Sequence, residues 1–375
     1  MKIVICMDSW KGSLTALQAC QAVREGILSV AADAEVPMCP MADGGEGTLE
    51  IVGAQRPGTR IVKEVTGPLP DMRVRGEYLW WPEEKEALVE MAVCAGLTLL
   101  SEKARDPLRT TTRGVGELVA DAMRRGAEKI SLAVGGSATV DGGSGMAMAL
   151  GWRLLDEAGN PIPDGGAGLA RLRHLQPPPE LNANVPKVEV LCDVTNPLLG
   201  PRGAAAVFAP QKGADPKAVR ELEAALSVFE RVLREDLKKN LGDIPGTGAA
   251  GGLSAGAMAF LDAVLVEGID AVIQLTGLAA KAEGADWLIT GEGRLDDQSV
   301  DGKVVSGISR LARSSGSKVA VIAGSCALSD ASLSRAGIHR AYAANVNRRP
   351  LKEALEHAYD WARAAGQKFA RENIS

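Results

Sequence analysis

Four short segments gather carboxylates, cations, hydroxyls and glycines at spacings that suit phosphoryl transfer. That chemistry needs acidic side chains for a divalent cation, cationic or backbone N–H groups around the phosphates, and a group that orients or deprotonates the attacking hydroxyl. Asp8-Ser9-Trp10-Lys11-Gly12-Ser13 places a carboxylate, an ammonium and hydroxyls at one helix start. Asp43-Gly44-Gly45-Glu46-Gly47-Thr48 offers two carboxylates three residues apart, with backbone N–H groups freed by glycine. Gly135-Gly136-Ser137-Ala138-Thr139, closing on Asp141-Gly142-Gly143, has the composition of an anion-binding nest. Gly291-Glu292-Gly293-Arg294-Leu295-Asp296 supplies a guanidinium that could clamp a carboxylate or phosphate, with Lys303 close behind. Asp193-Val-Thr-Asn-Pro adds a carboxylate, a hydroxyl and an amide, and Lys212 follows in Gln-Lys-Gly. Taken singly, each segment is also readable as a capped helix, a tight turn or a surface ion pair.

Other chemistries find less support. Gly246-Thr-Gly248-Ala-Ala-Gly251 spells the G-x-G-x-x-G of dinucleotide sites, but the Asn-Leu-Gly-Asp-Ile-Pro before it is a loop where that fingerprint requires a strand. A nicotinamide-dependent reductase therefore stands as the alternative reading, and a non-catalytic sugar-acid sensor as a further one. Gly302-Lys303 is followed by Val304, so no Walker pattern is present. The three histidines (174, 339, 357) lie outside every glycine- or acid-rich motif and read as packed or solvated side chains. Six widely spaced cysteines contain no C-x-x-C pair, which speaks against a zinc site or a disulfide framework.

The elements that must position these segments follow from apolar periodicity. The run KIVICM (2–7) predicts a strand leading to Asp8, and 14–29 a helix; 35–41 predicts a second strand running into Asp43. Between 60 and 93 the texture changes to RIVKEVTG, RVRGEYLWW and ALVEMAV, strands separated by turn residues. A helix at 114–125, a strand in KISLAVGG (129–136), a helix from Ser137 to about 156, a strand in VEVLCDV (188–194) and a long amphipathic helix over 215–239 continue the middle of the chain. Strands in DWLITGEG (286–293) and KVAVIAGS (318–325), with a helix from about Lys303 between them, restore the α/β alternation. Similar ends around a different middle imply a discontinuous first domain carrying an insertion.

Composition agrees with an α/β enzyme of this size. The chain has 375 residues, 46% hydrophobic and 24% charged, enough to bury a sizeable core; 43 glycines against 3% aromatics point to many tight turns. A net charge of −5 without a long basic run removes the electrostatic footprint for nucleic acid or an anionic membrane. Asp8 interrupts the first apolar stretch, so no signal peptide is expected, and the uncharged stretch 244–261 is too rich in glycine for a membrane span. A cytoplasmic location is the expectation.

In register, the strings DSWKGSLTA, PMADGGEGT, VTGPL, RDPLRTTTRGVGEL, GGSATVDGG, CDVTNPLLG, APQKGAD, GTGAAGG and TGEGRLDDQS…GK make this chain resemble the bacterial class I glycerate kinases over essentially its whole length. It differs from that family's usual pattern at Trp10, Val140, Thr247 and Asp297; Val140 replaces a common Asn and would withdraw a polar contact if it faced ligand. The resemblance implies ATP-dependent phosphorylation of D-glycerate with Mg²⁺, to 2-phosphoglycerate, with the 3-phosphate as the alternative product. It also implies a flavodoxin-like domain from 1–63 plus 285–375, an inserted α/β domain over 64–284, a site in the cleft between them, and a monomer or homodimer. In that frame Arg294 and Lys11, with Ser9 and Glu292, are expected to bind glycerate. Gly135, Gly136, Ser137, Ala138 and Thr139 with Lys212 and Lys303 would bind the nucleotide, and Asp43, Glu46 and Asp193 the metal. Asp193 is the first choice as base, ahead of Asp296 and Asp8, with Lys11 also in a catalytic role.

Overall fold

Apolar strands from both ends of the chain assemble one parallel sheet. In the computed structural model, which describes residues 1–179, 185–295, 304–345 and 349–374, the strands Ile3–Ile5, Trp287–Thr290, Lys318–Ala323 and Arg340–Ala343 lie side by side in that order, all parallel. The first three are almost wholly buried, as expected for a parallel sheet covered on both faces. The expected strand at 35–41 forms only two isolated bridges, Lys2 to Glu35 and Ile5 to Met38. Pro37 and Pro40 remove two N–H donors there, so the ladder cannot run on. Its remaining bonds, such as Cys39 N–H to Ile5 O at 2.8 Å and Met41 N–H to Met7 O at 2.9 Å, still fix it beside the first strand. Counted with it, the order is the flavodoxin-like 2-1-3-4-5, in which the strand order reverses between the parallel neighbours Ile3–Ile5 and Trp287–Thr290.

The helix Ala16–Leu28 opens on a capping box in which Thr15 Oγ1 accepts from Gln18 N–H and Gln18 Oε1 from Thr15 N–H. Its buried stripe of Ala19, Val23 and Ile27 packs against the C-terminal helix Ala358–Asn373. Glycines set that spacing: a Cβ on Gly26 would stand 2.0 Å from Arg363 O, and one on Gly366 2.5 Å from Val23 O. Phe369 then meets Trp287 edge-to-face at 5.2 Å, a contact that contributes about 1 kcal/mol beyond its buried area. This unit comprises Met1–Asp43, Glu50–Arg56 and Glu267–Ser375.

The second unit, Gly44–Leu49 with Pro57–Val266, is built on a six-stranded mixed sheet. Thr59–Thr66, Arg73–Trp81 and Glu86–Glu90 form an antiparallel meander, and Lys129–Ala133, Lys187–Leu191 and Val264–Val266 extend it in parallel. Residues 59–63, assigned from sequence to the first domain, pair with 76–80 in this sheet, while 267–284 fold with the first unit. The helix Arg113–Arg124 covers the meander, where Asp121 accepts from Lys63 Nζ at 2.7 Å, Tyr78 OH at 2.8 Å and Arg125 Nε at 2.9 Å. The long helix expected from Ser137 is shorter, Ser144–Ala149, because Gly142 and Gly143 take positive φ before it and Gly151 after it. Among the described residues no helix is long and apolar enough to cross a membrane.

Candidate active site

In open α/β sheets ligands bind beyond the strand carboxyl ends where the strand order reverses. In the first unit that point lies at the ends of Ile3–Ile5 and Trp287–Thr290, and a cavity of about 500 Å³ opens there. Asp8, Ser9, Lys11, Asp43, Glu292 and Arg294 all line it. Asp8 is brought in by its N–H bond to Gly291 O at 2.9 Å, and its Oδ1 accepts from Ser9 N–H at 2.6 Å. Gly291 and Gly324 allow the neighbouring strand ends to touch: a Cβ on Gly291 would be 1.8 Å from Ile322 O, and one on Gly324 2.4 Å from Gly293 O. Arg294 is then held at the rim by the short pairing of Arg294–Leu295 with Ser325–Cys326. Trp10 is 3% exposed and packs into the apolar core, so its ring serves as an anchor for the Asp8–Ser13 turn.

Charges in this pocket act on one another. Burial first, then the neighbouring carboxylates of Asp43 and Glu292, pushes Asp8 up to about 7, against the Ser9 N–H bond and the Lys11 ammonium. A carboxyl tuned to that range, within a cavity that also holds a guanidinium and an ammonium, is suited to accept a proton from a substrate hydroxyl.

The second unit gathers another set. Gly135 lies so close to Gly45 that a Cβ would be 2.4 Å from its Cα, and a Cβ on Gly136, φ +72°, would stand 3.4 Å from Glu46 Oε2. The glycine loop after Lys129–Ala133 and the Glu46 loop are thereby adjacent. Beneath them Lys212, 2% exposed, donates to Ser137 Oγ and Thr139 O, both at 2.7 Å. Lys212 thus joins the 135–139 loop as its support, where the sequence reading puts its ammonium against phosphate. Asp193 follows the strand Lys187–Leu191 and is half-buried. Asp43 belongs to the first unit, Glu46 and Asp193 to the second, and among the described residues no three acidic, histidine or cysteine side chains form a ready metal cluster. Asp296 and Lys303 lie outside the described residues.

Several residues that shape these loops carry no obvious sequence signal. Glu90, at a strand end and 3% exposed, accepts from Gly47 and Leu49 N–H and so fixes the Glu46 loop. The threonine run does similar work: Thr110 Oγ1 donates to Ala138 O at 2.9 Å, while Asp141 accepts from Thr112 N–H and Oγ1 and from the Gly143 and Gly145 N–H groups. Val140 is fully buried, so this departure from the family's pattern faces the core. The Gly246–Gly251 hexad is likewise structural. Gly248 packs on Pro197 O, and Ala250, Gly251 and Gly252 take left-handed conformations that let Gly251 O accept from Gly142 N–H at 3.0 Å. No strand precedes the hexad, which removes the basis of the reductase reading. His339 accepts from Val319 N–H and His357 stacks on Trp361, both packing roles.

The model of the glycerate kinase family matches residues 3–373. The chain belongs to that family. A glycerate kinase of Halalkalibacterium halodurans is 43% identical over 371 residues, covering 98% of this chain and 97% of that one. A glycerate 2-kinase of Escherichia coli K12 is 41% identical over 363 residues, 96% of this chain and 94% of the other. A crystal structure of a Salmonella typhimurium LT2 protein assigned as glycerate kinase 2 superposes with a TM-score of 0.84 at 40% identity, covering 99% and 98% of the two chains. Membership in the glycerate kinase family makes the chain a kinase of α/β architecture.

Proposed function

We propose that this kinase transfers the γ-phosphoryl group of ATP to the 2-hydroxyl of D-glycerate, yielding 2-phosphoglycerate and ADP. The observation that carries the reading is the first unit's pocket, where Asp8, raised to about 7, shares one cavity with Arg294 and Lys11. Arg294 suits the glycerate carboxylate, because a planar guanidinium can donate two parallel bonds to it. Ser9 and Glu292 complete the polar wall for the two hydroxyls. Asp8 accepts the hydroxyl proton as the oxygen attacks; its place in the pocket and its shift put it ahead of Asp193 for that role. The name of the E. coli relative favours the 2-hydroxyl over the 3-hydroxyl.

The 135–139 loop takes the nucleotide phosphates, with Lys212 as its buried support. Carboxylate oxygens are the right donors for a hard divalent ion, and Mg²⁺ is commonly held by one or two of them together with phosphate oxygens. The adjacency of Glu46 to Gly136 fits that pattern, and Asp193 of the same unit remains its candidate partner. When bound, the ion would neutralise charge on the transferring phosphoryl group. The chain works in the cytoplasm on this reading, as a monomer or homodimer.

A coupled ADP-release assay with ATP, Mg²⁺ and D-glycerate, with the product resolved by phosphorus NMR, tests the proposal. A 2-phosphoglycerate resonance is expected; a 3-phosphoglycerate resonance would overturn the regiochemistry, and no ADP above the blank without glycerate would overturn the substrate.

A further inference from the structure

The bonding of Lys212 fits an uncharged amine. Its Nζ meets two acceptors, Ser137 Oγ and Thr139 O, and among the described residues no carboxylate pairs with it. A neutral amine has two N–H donors to match two acceptors, whereas an ammonium has three, and a third left unbonded in full burial is costly. The charged groups around it do not change that count. Asp141 is the acidic residue whose field reaches Lys212, but its oxygens are occupied by Thr112, Gly143 and Gly145. Asp215 is engaged in capping the helix Pro216–Leu237 through Lys217 and Ala218 N–H. Arg105 backs onto Gly213 with its carbonyl and Cβ, and Glu46 stands by Gly136.

An anion on the loop alters the balance, because negative charge a few ångströms away in a low-dielectric interior favours the ammonium. We propose that Lys212 is a positioning residue of the 135–139 loop that takes up a proton when the phosphates of a nucleotide settle there, so that the positive charge under the loop arrives with the ligand. This rests on the loop being the phosphate site of the kinase reading. Burial pulls the Lys212 amine down to about 7 in the ligand-free chain, which leaves it largely uncharged just above neutrality and ready to be charged by an anion. In the unliganded enzyme the loop is spared a buried cation; in the complex the same side chain holds Ser137 and Thr139 and balances the phosphates.

Isothermal titration calorimetry of the full chain with MgATP at pH 7.5, repeated in buffers of different ionisation enthalpy, counts the protons exchanged. Wild type is expected to take up about half a proton per nucleotide. Lys212→Arg, whose guanidinium stays charged, and Lys212→Met, which has no proton to gain, should both lose that uptake. Uptake that persists in both variants, or a wild type that binds MgATP with less than about 0.1 proton exchanged, overturns the proposal. A wild type that shows no uptake overturns the proposal without any variant having to fold, and the two variants assign any uptake that is seen to Lys212. Glycerate phosphorylation measured in parallel separates the two ideas: turnover without proton uptake refutes the role of Lys212 alone, whereas neither binding nor turnover refutes the kinase reading and this inference together.

Discussion

The carboxylate of Glu90 accepts two backbone N–H groups of the Glu46 loop, Gly47 at 2.9 Å and Leu49 at 2.8 Å, from a position with 3% exposure. Both oxygens are used, and burial pushes the carboxyl's pKa up despite those bonds. Glu90→Gln keeps the shape but turns one acceptor into a donor facing an N–H group. A loss of about 1–3 kcal/mol in stability is expected from the mismatched pair. Because Glu46 rides on the loop, half-saturation by Mg²⁺ should also move up about tenfold, the usual size for a disturbed supporting contact at a metal site. Initial rates across a Mg²⁺ titration check this; an unchanged Mg²⁺ requirement in a destabilised variant would confine Glu90 to the fold.

Gly251 is held to glycine by two independent constraints. Its φ is +67°, and a Cβ would lie 2.0 Å from Thr139 O. Gly251→Ala should therefore cost at least about 2 kcal/mol, more than a left-handed alanine alone, because the Thr139 carbonyl must move as well. Thermal melts measure the loss. The same experiment disposes of the nucleotide alternative: NADH should leave the wild-type Tm unchanged while MgATP raises it.

How much of this was legible depends on whether the signal is local. The strands Ile3–Ile5, Lys129–Ala133 and Trp287–Thr290 announce themselves as short apolar runs ending in Asp, Gly or Glu, and the residues just after two of them line the first unit's pocket. The helix start at Thr15 and the long helix Pro216–Leu237 carry their caps in the sequence. The prolines at 37 and 40 are equally visible, yet their effect on the sheet edge depends on which side of the strand must donate. Long-range satisfaction is another matter. Glu90 reads as one more strand residue, and its bonds to Gly47 and Leu49 span more than forty positions. Lys212 is recognisable as a cation near the phosphate site, but its complete burial, and hence its role beneath the loop, comes only from packing. The hexad at 246–251 shows the converse: glycine spacing reports close backbone approach, and Thr139 supplies here what a dinucleotide would supply elsewhere.

Arg294→Lys keeps the charge of the pocket rim and removes the planar fork. If the guanidinium binds the glycerate carboxylate through two bonds, the loss of about 2 kcal/mol raises KM for glycerate roughly 30-fold. The KM for ATP should stay within about twofold, since uniform loss of substrate binding touches only the partner that is bound there. Steady-state kinetics with each substrate varied in turn decide it. Equal increases in both KM values would mean that Arg294 serves the nucleotide instead.

Asp8 couples function and stability with opposite signs. Folding raises its carboxyl to about 7 from an ordinary value near 4, chiefly through burial and the charges of Asp43 and Glu292. The folded chain thus holds a proton that the unfolded chain has already released. The stability associated with that proton is fully present below about pH 4, declines as pH rises, and is gone once pH passes about 7. Asp8→Asn stays neutral and retains a side-chain oxygen to accept from Ser9 N–H. At pH 8 it should be more stable than wild type by about 1–3 kcal/mol, with the difference vanishing near pH 4. Turnover should fall at least about 10²-fold, because a neutral amide cannot accept the hydroxyl proton. Wild-type kcat/KM for glycerate should rise with pH through about 7, and the residual activity of the variant should lose that step. Denaturant melts at the two pH values, with turnover and kcat/KM profiles of Asp8→Asn and Asp193→Asn side by side, test both halves. A more stable and nearly inactive Asp8→Asn supports a carboxylate kept strained for catalysis, whereas a larger loss of turnover in Asp193→Asn would move the base to the second unit.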